Sequence, residues 1–502
     1  MRKITIIISV LLFAATLNAQ DGGYVTNIEV QKNEYWWGVY TADSPAQPFS
    51  APFSEYCREG TSRIPLLLSS NGRIIRSEHP IQVEFDGTKF TVTSSHGKVE
   101  AESAGRTLRD AYLVYRHRYC PPSGSSPSTE LFSSIIYDTR TALGQAQGEQ
   151  EMLDYASSLL AGGYPTGIIV IPDGWRSLSA GLVMDDALYP DPKGMMDKLH
   201  EMGFRVMLTV TPYAPAAGKN YAIAYRSGWL ADKAGTLSSV IPGSGDGAAY
   251  GIYDMTQDRV ASMFKESMAS LPFTPDLLLF DSGFAHTAIG GDPSWEGFIE
   301  GWVKLGMDAG AGGIVACPVG DTGAEWCEGS GGNYCPVLIN NLIATGLTGS
   351  AYSTGAFPLS AGDNDLPASL SLKVLSLCMP LAVANIDDPR AQEDELKRMI
   401  SFRLSLSEYM KELVSASAKS GEPLVRHMEY QFPKSGFADC NDQFMLGPKY
   451  MFAPVIDGAA KRMVRIPKGN WTDGNGKHFK GPRVIEIGSD DPLAGCFESG
   501  DK

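Results

Sequence analysis

The chain has 502 residues, 43% hydrophobic and 10% aromatic, with 42 Lys and Arg against 57 Asp and Glu for a formal charge of −15. A chain of this size builds large cores without metal or disulfide staples and has room for about two to four domains. Its acidic balance, with a pI near 5.0 and no Lys/Arg-rich run, argues against nucleic-acid or anionic-membrane partners and leaves neutral ligands open.

At the start, Arg2 and Lys3 precede the apolar run ITIIISVLLFAATL, which ends in Asn18-Ala19-Gln20. Charge, apolar stretch and small residue in that order predict a signal peptide over residues 1–19 and export to the periplasm or the cell exterior. The run is shorter than the about 20 residues a membrane span needs. Export permits disulfides among Cys57, Cys120, Cys317, Cys327, Cys335, Cys378, Cys440 and Cys496, but spacing does not choose a pairing. No close Cys pair is followed by a His pair, which argues against a zinc site; no metal and no cofactor are expected.

Residues 20–125 carry short alternating runs such as Gln82-Val-Glu-Phe-Asp86 and Lys89-Phe-Thr-Val-Thr93, punctuated by Ser70-Asn-Gly72 and Asp86-Gly87. This pattern predicts an antiparallel, sandwich-like β domain. The Pro- and Ser-rich stretch over 121–129 reads as a linker. The period then changes. Helical spacing over 148–161, 195–202, 260–271 and 302–309 alternates with the apolar runs 167–172, 204–210, 276–281 and 313–317. Nearly continuous apolar strands between helices predict a parallel sheet covered on both faces. Residues 128–412 suit a (β/α)8 TIM barrel, for which about 250 residues is typical; an open doubly wound sheet is the alternative, and it lacks a glycine-rich phosphate turn after its first strand. A helix over 396–415 and a smaller β domain over 413–502 complete the chain.

In such a barrel the chemistry sits where strands end. Asp173 and Trp175 follow the first of these runs, Thr211, Pro212 and Tyr213 the second, and Asp281 closes the third. A carboxylate there can attack an electrophilic carbon, or it can cap the turn Ser282-Gly283. Trp175, Tyr213, Trp326, Tyr334 and Tyr352 offer faces on which a sugar ring could stack, or pack between elements; His286 could bond a hydroxyl. Asp185-Asp186 and Asp387-Asp388 read as caps or exposed loops, and Asp254 as the cap of the helix that follows it.

Several segments together resemble glycoside hydrolase family 31, near the branch that contains myogenesis-regulating glycosidase. They are Asp173-Gly-Trp175, Tyr189-Pro-Asp-Pro192 through Val206, Thr211-Pro212, and Tyr253-Asp-Met-Thr256 through Asp281-Ser-Gly283. Phe402-Arg-Leu404, Gly421-Glu-Pro-Leu-Val-Arg426, Asp442 to Gly447, Ala453-Pro-Val455 and Pro467 to Asp473 continue the likeness, and Glu34 to Gly38 and Ile64 to Gly72 extend it to the N-terminal region. The resemblance implies a retaining glycosidase for α-linked sugars, of α-glucosidase or α-galactosidase type, acting on an oligosaccharide or glycoside. Asp281 falls on the nucleophile and Trp326 aligns with the loop that carries the second carboxylate; Asp173, Trp175, Tyr213, Tyr334 and His286, read from their positions, are the further candidates for the sugar site. The second carboxylate, about 5–5.5 Å away in such enzymes, is displaced. Its expected position falls on Gly329 and Ser330, leaving Glu328 or Asp321 (with Glu325 nearby) as substitutes, and the arginine expected before it is Cys317. A catalytically silent carbohydrate-binding member of the family is therefore the competing expectation.

Overall fold

The computed structural model describes residues 18–20, 23–38, 47–57, 65–95, 97–124, 126–144, 147–176, 183–216, 218–231, 250–281, 298–308, 314–316, 324–327, 339, 342–344, 346–347, 352–358, 382–386, 394–455, 459–488 and 490–500. The apolar leader over 4–17, Asp387-Asp388 and the loop residues around 328–338 lie outside them.

Two antiparallel sheets form the N-terminal region. One joins β1 (Asn18–Gln20), β2 (Gly23–Glu29), β4 (Phe53–Cys57), β7 (Ile81–Phe85) and β8 (Lys89–Ser94) in the order β1-β2-β8-β7-β4. The other joins β3 (Trp36–Gly38), β5 (Leu66–Ser69), β6 (Arg73–Arg76) and β9 (Glu100–Ser103) as β3-β5-β6-β9. Alternation explains why β5 and β6 are buried at every position. Trp36, Leu67 and Ile75 face the core between the two sheets, while Trp37, Leu66, Leu68 and Ile74 face the large core of the rest of the molecule. Against that second face lies helix α1 (Leu108–Tyr119), opened by a capping box in which Thr107 and Asp110 exchange hydrogen bonds. Sequence periodicity had left this helix inside a β domain.

Eight strands then pair in parallel in the order β16-β15-β12-β11-β10-β19-β18-β17. They are β10 (Ile135–Asp138), β11 (Ile168–Ile171), β12 (Arg205–Val210), β15 (Leu277–Asp281), β16 (Ile314–Ala316), β17 (Ala324–Cys327), β18 (Tyr352–Pro358) and β19 (Ala382–Asn385); β13 (Tyr213–Pro215) and β14 (Tyr250–Ile252) form a separate hairpin. β10 and β11 are buried throughout, as strands covered on both faces must be. Between them run α2 (Glu130–Ser133), α3 (Arg140–Leu143), α4 (Glu149–Ala161), α5 (Pro192–Glu201), α6 (Lys219–Arg226), α7 (Asp258–Ala269) and α8 (Phe298–Asp308). α5 begins where Asp191 accepts a hydrogen bond from the Gly194 N–H, at 3.0 Å, with Pro192 in its first turn.

The single helix expected over 396–415 is two, α9 (Asp394–Ser405) and α10 (Ser407–Ser420). At the junction Leu406 bonds back to Arg403, a tighter three-residue turn that apolar periodicity does not reveal. α10 stops at Gly421, whose φ of 72° is the left-handed conformation that favours glycine, and the Gly421 N–H bonds to the Ser417 carbonyl. α11 (Met428–Gln431) follows β20 (Val425–His427), and β20 joins β21 (Phe444–Leu446), β22 (Tyr450–Phe452), β23 (Lys461–Asp473), β24 (His478–Gly488) and β25 (Cys496–Ser499) in an antiparallel sheet ordered β20-β21-β22-β25-β23-β24. Cys120 and Cys440 carry free thiols. Among the described residues no helix is long and apolar enough to cross a membrane, and no group of acids, histidines and cysteines could hold a metal.

At the N-terminal edge of the parallel sheet, Asp276 accepts hydrogen bonds from the Val206 N–H (2.8 Å) and Arg205 Nη1 (2.7 Å), with His200 Nε2 at 2.8 Å. This network ties the loop before β15 to the start of β12, far from the chemistry at the other edge. Asp276→Ala is expected to lower stability by about 1–3 kcal/mol, read as a shift in the denaturant midpoint.

Candidate active site

Parallel register brings the strand ends to one rim. Asp138 pairs with Val170, Val170 with Met207, Val210 with Phe280, and Asp281 with Ala316. Asp138, Asp173, Thr211 and Asp281 therefore stand on the same C-terminal edge, where parallel barrels place their functional groups.

Asp173 begins a short 3₁₀ turn, Asp173–Trp175. Its Oδ2 accepts from the Thr211 hydroxyl at 2.7 Å and pairs with Arg176, whose guanidinium also donates to Thr211 Oγ1 (2.8 Å) and to the Tyr213 carbonyl (3.1 Å). The buried Oδ1 has no hydrogen-bond partner among the described residues. Burial raises the Asp173 carboxyl above the usual carboxylate range, against the opposing pull of Arg176 and Thr211. The Asp173 side chain as a whole is 26% exposed, so part of it is accessible at the rim.

Trp175 corrects the sequence expectation. It is 1% exposed, and its indole N–H donates to the Thr209 carbonyl at 2.7 Å, so it presents no face to a sugar. The turn after β11 folds the ring inward beneath the rim. Tyr213 is half-buried on β13, its ring 6.1 Å from that of Tyr250 across the hairpin, and keeps an accessible part.

Asp281 closes β15 with its side chain 25% exposed, while the four residues before it are buried. Arg140 Nη1 lies 3.9 Å from Asp281 Oδ2. Arg140 grips Asp138 with its other guanidinium edge, through Nε at 3.0 Å and Nη2 at 2.7 Å, and its own N–H donates to Asp138 Oδ1. Asp138 and Arg140 were missed in the sequence, although Ile135-Ile-Tyr-Asp138 ends in a carboxylate just as Leu277-Leu-Leu-Phe-Asp281 does. That shared ending was the available signal.

Glu328, Asp321, Tyr334 and His286 lie outside the described residues; Trp326 and Glu325 lie on β17 and Tyr352 on β18, with only their backbones described. Asp185 accepts from the Ala187 N–H, as a turn residue does. Asp254 accepts from the Thr256 N–H and hydroxyl, holding the turn before α7.

Comparison with known proteins agrees with this frame. Residues 140–288 match the model of the glycosyl hydrolases family 31 TIM-barrel domain, and residues 421–493 that of the glycosyl hydrolase family 31 C-terminal domain. The alpha-xylosidase XylQ of Lactiplantibacillus pentosus is 21% identical over 84% of this chain and 60% of its own length; the myogenesis-regulating glycosidase of Mus musculus is 22% identical over 74% and 57%. The chain thus spans about three fifths of the length of these curated relatives. A dextranase structure from Flavobacterium johnsoniae superposes with a TM-score of 0.81 at 17% identity, covering 97% of this chain and 68% of that one, a likeness of fold. Two matched models from one family, lying on the parallel sheet and on the C-terminal sheet, bear out the resemblance of this chain to glycosyl hydrolase family 31.

Proposed function

We propose that the chain hydrolyses O-glycosyl bonds of α-linked sugars by double displacement, with Asp281 as nucleophile. The carrying observation is the placement of Asp281, a partly exposed carboxylate at the end of a buried strand with a guanidinium 3.9 Å away. In the first step Asp281 attacks the anomeric carbon while an acid protonates the leaving oxygen; water then releases the sugar. Asp173 and Tyr213 contact the sugar, together with Trp326, Tyr334 and His286, and Glu328 or Asp321 serves as the acid. The β16 and β17 edges of the parallel sheet close it into a (β/α)8 barrel between the N-terminal β domain (20–125) and the C-terminal one (413–502). The Arg2-Lys3 start and the apolar run behind it support export by a signal peptide. Substrate type is of the α-glucosidase or α-galactosidase class, with the relatives' α-xylosidase and dextranase activities as the neighbouring choices.

The displaced acid favours a second reading, a protein that binds carbohydrate without cleaving it. One experiment separates them. The protein is incubated with 5-fluoro-α-glycosyl fluorides of several sugars, digested and weighed. A mass gain on the peptide carrying Asp281 is the expected result; binding of an oligosaccharide with no adduct and no turnover of any aryl α-glycoside supports the silent reading. General acid assistance is worth roughly 10²–10⁴ in rate, so a weak acid shows as a preference of that order for activated aryl leaving groups over sugar leaving groups.

A further inference from the structure

We propose that Arg140, pinned by Asp138, is the positioning residue that fixes where Asp281 points. The inference rests on the reading of Asp281 as the nucleophile and adds the group that prepares it. Asp138 is 1% exposed, so its charge is taken out of water and must be matched. Arg140 supplies the match through Nε and Nη2, which locks the guanidinium plane and leaves Nη1 directed at Asp281. Thr139 fixes the backbone of this element, its hydroxyl 2.8 Å from the Val170 carbonyl and 2.6 Å from Gln147 Oε1. Another charged pair at this rim, Asp173 with Arg176, is held by Thr211 on neighbouring strand ends, and β16 beside Asp281 brings no ionisable residue. Where the family resemblance sets an arginine, this chain has Cys317; Arg140, at the start of α3 just after β10, puts a cation beside Asp281.

Electrostatics and geometry make opposite-signed expectations for two variants. An opposite charge favours the ionised form of a carboxyl beside it. In Arg140→Met the titration midpoint of Asp281 is expected to rise. In Asp138→Asn it is expected to fall, because a negative charge leaves and the guanidinium turns fully to Asp281. Arg140→Lys, a point charge that cannot grip Asp138 in two places, falls between wild type and the Met variant. The measurement is ¹³C NMR of full-length protein labelled at aspartate carboxyls, with the Asp281 signal assigned by its loss in Asp281→Asn. A midpoint that moves by less than about 0.3 unit in Arg140→Met, or that rises in Asp138→Asn, overturns the proposal. If Arg140→Met does not fold, the Asp138→Asn and Arg140→Lys shifts decide. The titration needs no substrate, so its outcome is separate from whether the chain turns over a glycoside.

Discussion

On the proposed mechanism, Asp281→Asn is expected to lower kcat/KM for an aryl α-glycoside by about 10⁴-fold or more, because it removes the group proposed to form the covalent intermediate and leaves only binding and the remaining polar groups. The amide is nearly the same size, and the side chain it replaces is 25% exposed, so thermal stability should change little. Asp138 keeps the half-buried Arg140 paired in the variant. The rate loss therefore reports chemistry and not folding. A companion variant, Asp281→Gly, opens a space that azide can enter; attack on the α-glycoside from the nucleophile's side gives a β-glycosyl azide, detectable by NMR. Unchanged turnover in Asp281→Asn would remove this carboxylate from the mechanism.

The second large expectation concerns acid. His427 is 1% exposed, its Nδ1 accepts from the Glu429 N–H at 2.9 Å, and its buried Nε2 has no partner among the described residues. Trp37 packs edge-on against it at 5.0 Å. Burial first, then the positive charge of Arg465, pushes the imidazole pKa down to about 3, with Asp439 opposing. An unfolded histidine takes its proton near pH 6.5. Between those values the unfolded chain binds the extra proton, so stability from this site is complete above about pH 6.5 and is lost as pH falls towards about 3. The slope approaches about 1.4 kcal/mol per pH unit inside that window. Buried Glu429, whose carboxyl is raised, works in the opposite sense. The His427 contribution is thus the difference between wild type and His427→Asn, which keeps an acceptor for the Glu429 N–H. Denaturant unfolding at pH 7, 6, 5 and 4 should show the wild type losing stability faster than the variant; parallel curves would contradict the assignment.

Much of the frame was legible because strands buried on both faces have no choice of residue. Ile168–Ile171 and Leu277–Phe280 read as unbroken apolar runs, and the helices between them keep their spacing. Asp281 could be placed for the same reason, since the run ends on it. What escaped were features set by tertiary context. β10 is four residues long and preceded by polar Ser133 and Ser134, so it lacked a visible period. α1 buries Leu108, Ala111, Tyr112 and Tyr115 but carries a fully buried Arg116 within the same stripe. Trp175 could serve a pocket or a core, and only the direction of the turn after β11 decides. The partnership of Arg140 with Asp281 joins the start of α3, just after β10, to the end of β15, two strands separated in the sheet by β11 and β12, and no local pattern records it.

The docking of α1 carries a consequence for how the chain is made. Its Tyr112 hydroxyl donates to the Gly421 carbonyl at 3.0 Å across 309 positions, its Arg109 pairs with Glu422, and Tyr112 meets Tyr430 edge to face. At translation rates of about 5–20 residues per second, those partners leave the ribosome about 15–60 s after α1 does. During that interval the outer face of β5 and β6, with α1 against it, waits with apolar surface uncovered. Residues 66–119 are synthesised long before residues 421–430 seal them, so this part of the newborn chain depends on a segment that begins 309 positions beyond Tyr112 to hide what it exposes.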